Sequence, residues 1–290
     1  MTVQEAYRRG REHLAASGSA EAPIEAEVLL RHVLQLDRAA FYMGWDRPIS
    51  EDAWHQFQRV LDERARGRPV PYIVGQREFM GLTFAVDERV MIPRPETEVL
   101  VEFLVQHVRE RAEARVLVVD VGTGSGCIAV SLAQLLPPAI VFATDISMEA
   151  LEVARANAAR HRVGTRITFL QGDLLAPLPP HLAGRVDAVA GNPPYVPVSQ
   201  RAALPREIRD FEPPVAVFID GDGMAVHRQL IAAAPRWLRP SGLLAMEVGA
   251  GQADAVAGAM ASDGTYARVR TLADYGGIPR VVVGERTASP

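Results

Sequence analysis

The chain has 290 residues, 48% of them hydrophobic and 23% charged, with a formal net charge of −4 and a pI near 6.0, which excludes a disordered polypeptide and any global basic field that would gather nucleic acid. A single cysteine, Cys127, excludes an internal disulfide and a multi-thiolate metal site, and the seven histidines never recur at i, i+4 beside a carboxylate, so no metal is expected. No window approaches the roughly 18 apolar residues that span a bilayer and the first residues lack an apolar signal core, so a cytoplasmic, membrane-free protein is expected.

Residues 1–74 carry three amphipathic patterns, "VQEAYRRGREHLAASG", "APIEAEVLLRHVLQL" and "SEDAWHQFQRVLDERARG", each with apolar residues on one stripe. Gly18, Pro23, Pro48 and Gly67 punctuate them and Ser50 is placed as an N-cap, so this part reads as a small helical bundle. Residues 75–98, "GQREFMGLTFAVDERVMIPRPETE", read as a β-hairpin about Gly81 that ends at a Pro-Arg-Pro corner and links two domains. The second domain is assigned to residues 99–290. Within it, from Arg115, strands at 115–122, 139–145, 166–173, 185–192, 242–249, 265–272 and 280–285 are interleaved with helices near 126–136, 147–161, 223–238 and 251–262. Strand-helix alternation with near-continuous apolar runs such as "RVLVVDVG" implies an α/β fold, a Rossmann-like, doubly wound seven-stranded sheet with ligands bound outside the carboxyl ends of its strands. The tail "ERTASP" reads as frayed.

The segment "DVGTGSG" (120–126) follows the first of these strands and opens a helix. Glycines at 122, 124 and 126 let the backbone turn sharply and approach a ligand where side chains would collide. A dinucleotide fingerprint needs glycine at position 127, which is Cys127 here; Cys127 itself reads as a small apolar helix residue, not a nucleophile. The G-x-G-x-G form is that of class I methyltransferases, whose cofactor is S-adenosyl-L-methionine. Asp145, ending the second strand, stands where a carboxylate accepts both ribose hydroxyls. Asp173, after the third, is placed to meet the adenine amino group, with Leu174 against the ring; a helix cap or a solvated loop charge is the alternative for each acid.

At the end of the fourth strand stands "GNPPYVP" (191–197). Proline fixes its own φ and biases Asn192 toward extended geometry, so the amide is aimed. Asn192 Oδ1 and the Pro193 carbonyl can each accept one N–H of a planar nitrogen and hold its lone pair in line with a methyl donor, which is catalysis by positioning. Pro194 stiffens the segment and Tyr195 can stack on the planar group. The same four residues serve methylation of the exocyclic amine of adenine and of the side-chain amide of glutamine, so they name the chemistry and leave the substrate open.

Together, "GQREFMGLTFAVDERVMIPRPETE", "DVGTGSG", "GNPPYVP", "FEPPVAVFIDGDGM" and "DYGGIPRVVVGE" resemble the PrmC/HemK family, the protein-(glutamine-N5) methyltransferases of peptide chain release factors, over essentially the whole chain. The resemblance implies a class I S-adenosylmethionine-dependent methyltransferase with a helical N-terminal domain that grips the substrate. It places Gly122, Thr123, Gly124, Ser125, Gly126, Asp145, Leu174 and Asn192 around the cofactor. It further implies that Asn192, Pro193, Pro194 and Tyr195 receive the glutamine of the Gly-Gly-Gln loop of class 1 release factors, and that the partner is a protein and not nucleic acid; the oligomeric state stays open, with a monomer as the default expectation. Some members of the family carry an aromatic residue at the position of Leu174. Arg94, Thr97 and Glu98 border the site, with an ion-paired corner as the alternative for Arg94 and Glu98, and "FEPPVAV" borders the site or packs as a loop over the sheet.

Three other readings compete. A nucleic-acid adenine methyltransferase needs a basic groove, yet residues 1–74 hold 10 arginines against 11 acids. A nicotinamide-dependent dehydrogenase is opposed by Cys127. A catalytically silent cofactor-binding module is opposed by the intact Asn-Pro-Pro-Tyr.

Overall fold

The first helix begins with a reciprocal cap. The Thr2 hydroxyl accepts from the Glu5 backbone N–H, and the Glu5 carboxylate accepts from that of Thr2. The computed structural model describes residues 1–111 and 115–288; Ser289 and Pro290, in the tail read as frayed, lie outside the described residues. Helices α1 (Val3–Ala16), α2 (Ala22–Leu34), α3 (Arg38–Met43), α4 (Glu51–Ala65) and α5 (Val70–Val74) follow in order. Val3, Ala6, Gly10 and Leu14 recur every three or four residues and form the buried stripe of α1. A Cβ on Gly10 would lie 2.5 Å from Phe57 Cζ, so glycine there lets α1 close on α4. Ser50 caps α4 by accepting from Ala53 N. The first compact unit comprises Met1–Gln76 together with Pro205–Phe211, a segment far along the chain. Its buried Arg64 pairs with Glu25 (2.8 Å) and with Glu207 of that segment.

The second unit comprises Arg77–Leu204 and Glu212–Pro290. Strands β1 (Gln76–Phe79) and β2 (Leu82–Ala85) form the hairpin, with Met80 and Gly81 at φ +53° and +70° as a two-residue primed turn requires. It ends at Ala85, short of the 98 read from the sequence. Residues 95–98 instead open helix α6 (Pro95–Arg111), which the sequence reading passed over. Pro93 and Pro95 read as a corner, but Pro95 is the first helical residue, where proline costs nothing, and Leu100, Val101, Leu104, Val105 and Val108 then bury one face.

Then come β3 (Val116–Val121), α7 (Cys127–Leu135), β4 (Ala139–Asp145), α8 (Met148–Arg160), β5 (Ile167–Gln171), β6 (Val186–Gly191), β7 (Val196–Pro197), α9 (Arg206–Phe211), α10 (Pro214–Val217), β8 (Phe218–Ile219), α11 (Ala225–Ala233), β9 (Leu238–Glu247), α12 (Ala253–Asp263), β10 (Tyr266–Ala273) and β11 (Pro279–Arg286). The seven-stranded sheet has the order β10-β11-β9-β6-β3-β4-β5, with β11 antiparallel to both its neighbours and the run from β9 to β5 parallel. Along β3, Val116 and Val118 enter one core cluster while Val119 and Val121 enter the other, as the two-residue period of a strand buried on both faces dictates. The sequence reading started the fifth strand at 242, whereas β9 starts at Leu238. Its "RPSG" reads as a loop because the ladder there is irregular: the pairing jumps from Val186↔Leu238 to Ala188↔Leu243, and Ser241 has φ +60°. The small β7–β8 pair went unread because each strand has two residues.

Connections run from β3 outward through β4 to β5 and then back across to β6, so the carboxyl ends of β3 and β6 frame the crevice where such folds bind ligands. The strands approach closely there: a Cβ on Gly191 would stand 2.8 Å from the Val121 carbonyl oxygen. Gly191→Ala should therefore cost about 1–3 kcal/mol of stability through overpacking. Gly164→Ala, whose Cβ would meet nothing within 4 Å, should cost far less. Urea unfolding of the two variants checks the difference, and equal stabilities would refute the close approach.

Candidate active site

One residue before the end of strand β3 stands an acid. Asp120 is fully buried; its Oδ2 accepts from Thr123 Oγ1 (2.6 Å) and from Ala129 N (3.1 Å), while Oδ1 has no partner among the described residues. Burial pushes its carboxyl up to about 7. The loop that follows turns on Gly122 (φ +68°) and Gly124 (φ +53°), and a Cβ on either would meet no side chain within 4 Å, so the two leave an open backbone cradle. Gly126 serves differently: its Cβ would meet the Ala154 Cβ at 3.1 Å, and its absence seats α7 against α8. Asn157 of α8 fixes the loop from below, donating to the carbonyls of Ser125 (2.9 Å) and Ala85 (3.0 Å) and accepting from Ala85 N (2.7 Å).

Asp145, the last residue of β4, accepts from Gly124 N through Oδ2 (2.8 Å) and from Ser147 N through Oδ1 (2.9 Å). Burial raises its pKa and those two backbone donors oppose the rise. The Ile146 backbone N–H also hydrogen-bonds the carboxylate and opposes the rise. A cleft of about 270 Å³ lies beside it, walled by Val90, Met91, Ile128 and Ile146 among others. Gly122, Thr123, Gly124, Ser125, Asp145, Asp173, Leu174, Asn192 and Pro194 all line it; Gly126, Pro193 and Tyr195 do not. Leu174 holds φ +47°, a left-handed conformation costly for a branched side chain, at the cleft wall. Pro213, Val215 and Ala216 also line the cleft, so "FEPPVAV" forms part of the wall. Cys127 borders it too, but burial pushes its thiol up to about 12, which keeps it protonated and unreactive.

Directly after β6, Asn192 Nδ2 donates to Thr97 Oγ1 (3.2 Å), and the Thr97 hydroxyl donates to Glu247 Oε2 (2.5 Å). Tyr195 donates its hydroxyl to Glu247 Oε1 (3.3 Å), and Gln252 donates to the Tyr195 carbonyl (3.1 Å). Glu247 is 1% exposed, and burial lifts its carboxyl to about 7 against the Thr97 and Tyr195 hydrogen bonds and the Arg280 charge. Buried His227 donates through Nε2 to the Glu247 carbonyl (2.8 Å). Of the three residues read at the Pro-Arg-Pro corner, only Thr97 reaches the cleft. Arg94 pairs with buried Glu212 (2.5 Å), and Glu98 accepts from Met80 N (2.7 Å) at the hairpin turn.

Asp120, Asn157 and Glu247 were missed from the sequence. For the two acids a signal existed, since each is a lone carboxylate near the end of an otherwise apolar strand, "RVLVVDVG" and "GLLAMEVG". Asn157 carried none, because one amide in an amphipathic helix reads as solvent-facing.

Family models match the chain over residues 5–75, as a PrmC N-terminal domain, and over 96–207, as a methyltransferase small domain. The release factor glutamine methyltransferase of Moorella thermoacetica is 40% identical over 99% of this chain and 99% of that one. That of Geobacter sulfurreducens is 39% identical over 98% and 96%. Among solved structures, the catalytic domain of hMettl16 in complex with a MAT2A 3'UTR hairpin covers 74% of this chain and 79% of that one at TM-score 0.55 and 17% identity. The N-terminal domain of human METTL16 in complex with SAH covers 70% and 75% at TM-score 0.51 and 16% identity. At such identities these two likenesses bear on the fold alone. Among the described residues no helix is long and apolar enough to cross a membrane.

The two buried carboxyls make stability depend on pH with a definite sign. Asp120 rises from 3.8 and Glu247 from 4.5, each to about 7, so the folded state holds their protons more tightly than the unfolded chain does. Their contribution is fully present below the unfolded values and is lost as pH rises through about 7, at up to about 1.4 kcal/mol per unit for each group. Urea unfolding between pH 4.5 and 8 should show Asp120→Asn losing less stability over that window than the wild type. A parallel pair of curves would mean that burial does not oppose the Asp120 charge.

Proposed function

Since the chain belongs to the family of release factor glutamine methyltransferases, we propose that it transfers a methyl group from S-adenosylmethionine to the side-chain amide nitrogen of the Gly-Gly-Gln glutamine of class 1 peptide chain release factors. It acts in the cytoplasm as a monomer, on protein and not on nucleic acid, and so tunes translation termination. The observation that carries the reading is Asn192: its Nδ2 is already engaged by Thr97, so its oxygen is the atom left to accept from a substrate N–H at the mouth of the cleft.

The residues present suit the cofactor. The open Gly122 and Gly124 cradle admits atoms that must come close to the backbone, and the cleft-lining Asp145 carboxylate suits the ribose hydroxyls. Asp173 and Leu174 sit on the same wall for the adenine. When bound, S-adenosylmethionine supplies a methyl group on a positively charged sulfur. A glutamine amide is a poor nucleophile because its lone pair is delocalised into the carbonyl. Asn192 Oδ1 and the Pro193 carbonyl would accept its two N–H groups and so aim the nitrogen lone pair at the methyl group. Pro193 and Pro194 would hold these acceptors still, and Tyr195, its hydroxyl tied to Glu247, would stack on the planar amide. No strong base is required at the start, since the nitrogen loses its proton after the charge has left the donor.

Incubating the protein with labelled S-adenosylmethionine, release factor and nucleic acid tests the reading, with mass spectrometry locating the methyl group. Label on the Gly-Gly-Gln glutamine is expected; label in DNA or RNA would overturn it in favour of adenine methylation. Asn192→Ala should lower single-turnover transfer by roughly 10²- to 10³-fold at saturating cofactor. Asp145→Ala should weaken S-adenosylhomocysteine binding by about 10- to 150-fold in calorimetric titration, with a much smaller effect on turnover at saturation. Unchanged affinity would reduce Asp145 to a brace for the glycine loop.

A further inference from the structure

An asparagine amide can face a substrate as an acceptor through Oδ1 or as a donor through Nδ2, and the two orientations have the same shape. What decides between them at Asn192 lies two hydrogen bonds away. Glu247, when ionised, can only accept. Its Oε1 takes the Tyr195 hydroxyl and its Oε2 takes the Thr97 hydroxyl at 2.5 Å. Thr97 has one hydroxyl proton, and that proton is committed to Glu247. Toward Asn192, Thr97 can therefore only accept, so Nδ2 donates to it at 3.2 Å and Oδ1 is turned outward. Thr97 is 2% and Glu247 1% exposed, so water cannot rewrite these directions.

We propose that Glu247, acting through Thr97, is a positioning residue that fixes Asn192 as an acceptor and thereby makes the site select a side-chain amide over a carboxylate of the same shape. This rests on the reading that Asn-Pro-Pro-Tyr receives the glutamine and extends it to specificity. Glutamine and glutamate differ by an NH₂ in place of an oxygen. Two acceptors, Asn192 Oδ1 and the Pro193 carbonyl, welcome the two N–H groups of the first and repel the charge of the second. Such repulsion is how a site rejects a near-isostere that packing alone would admit. A flipped Asn192 would offer a donor and remove half of the barrier.

The test measures kcat on release factor, and inhibition by release factor carrying glutamate in place of the acceptor glutamine, at about pH 8.5, where the Glu247 carboxyl is ionised. For the wild type, the inhibition constant of the glutamate form should exceed the KM for the glutamine form by on the order of 10²-fold or more. Thr97→Val removes the acceptor that holds Nδ2, and Glu247→Gln places an N–H₂ where a carboxylate oxygen stood. Both should bring that ratio within about 10-fold and lower kcat by roughly 10- to 100-fold. Thr97→Ser, which keeps the hydroxyl, should recover both quantities relative to Thr97→Val. Adding Glu247→Gln to Thr97→Val should change the ratio by less than about threefold, as expected of residues that act in series. If Thr97→Val does not fold, Glu247→Gln measured against Thr97→Ser decides. A ratio unchanged in Glu247→Gln while kcat falls makes the pair mere structural support and overturns the proposal, as does a wild type that admits both side chains equally. A wild type that does not methylate the release factor at all overturns the reading of function instead.

Discussion

A single buried carboxylate, Glu247, holds the reacting end of the site together. Taking a charge out of water costs several kcal/mol unless its oxygens are satisfied, and here each oxygen has a hydroxyl donor from a different part of the chain. Thr97 comes from the first turn of α6, Tyr195 from the segment after β6, and Glu247 itself ends β9, while its carbonyl takes His227 of α11. Tyr195 and Glu247 reach the same end of the sheet because the parallel strands β6 and β9 both finish there. Removing either hydroxyl would leave part of the charge uncompensated, so the network that aims Asn192 also constrains how β6, β9 and α6 can pack.

A similar logic governs the cofactor side. Asp120, one residue before the end of β3, and Asp145, the last residue of β4, lie on adjacent parallel strands; Asp120 accepts from Thr123 and Ala129, and Asp145 from Gly124 and Ser147. Burial opposes ionisation of both, and of the two it is Asp145 that lines the cleft, where a ligand's hydroxyls can relieve it. The positive φ of Leu174 and the tight approach of Gly191 to Val121 belong to the same economy of space: strand ends are drawn together and a side chain is forced into a rare conformation where the cleft must form.

The fold does not choose the substrate. The sheet is shared with an RNA-bound methyltransferase at 17% identity, whereas the relatives alike over their whole length are release factor glutamine methyltransferases. The N-terminal helices and the segment from Pro205 to Phe211 form one compact unit of their own. Arg64, buried between Glu25 and Glu207, shows how that unit uses paired charge as well as apolar stripes to fix a distant segment of chain.

Local pattern was enough to read the seven strands, the glycine loop, the acid after the second strand and the stiffened Asn-Pro-Pro-Tyr, because each is written in consecutive residues whose backbone demands are local: buried runs, φ > 0 at glycine, φ fixed at proline. It was not enough for α6, whose opening prolines mimic a corner, or for the irregular start of β9, where the Val186↔Leu238 register shift is decided by the partner strand. Nor could it place Asp120, Asn157 or Glu247, or tell that Thr97 and not Arg94 reaches the cleft. Those facts depend on which groups meet across separations such as the 150 residues between Thr97 and Glu247, and a hydrogen bond's direction is set by where its partner's only proton is already spent. The sequence determined the chemistry the site can perform; the tertiary structure decided which way its amide faces.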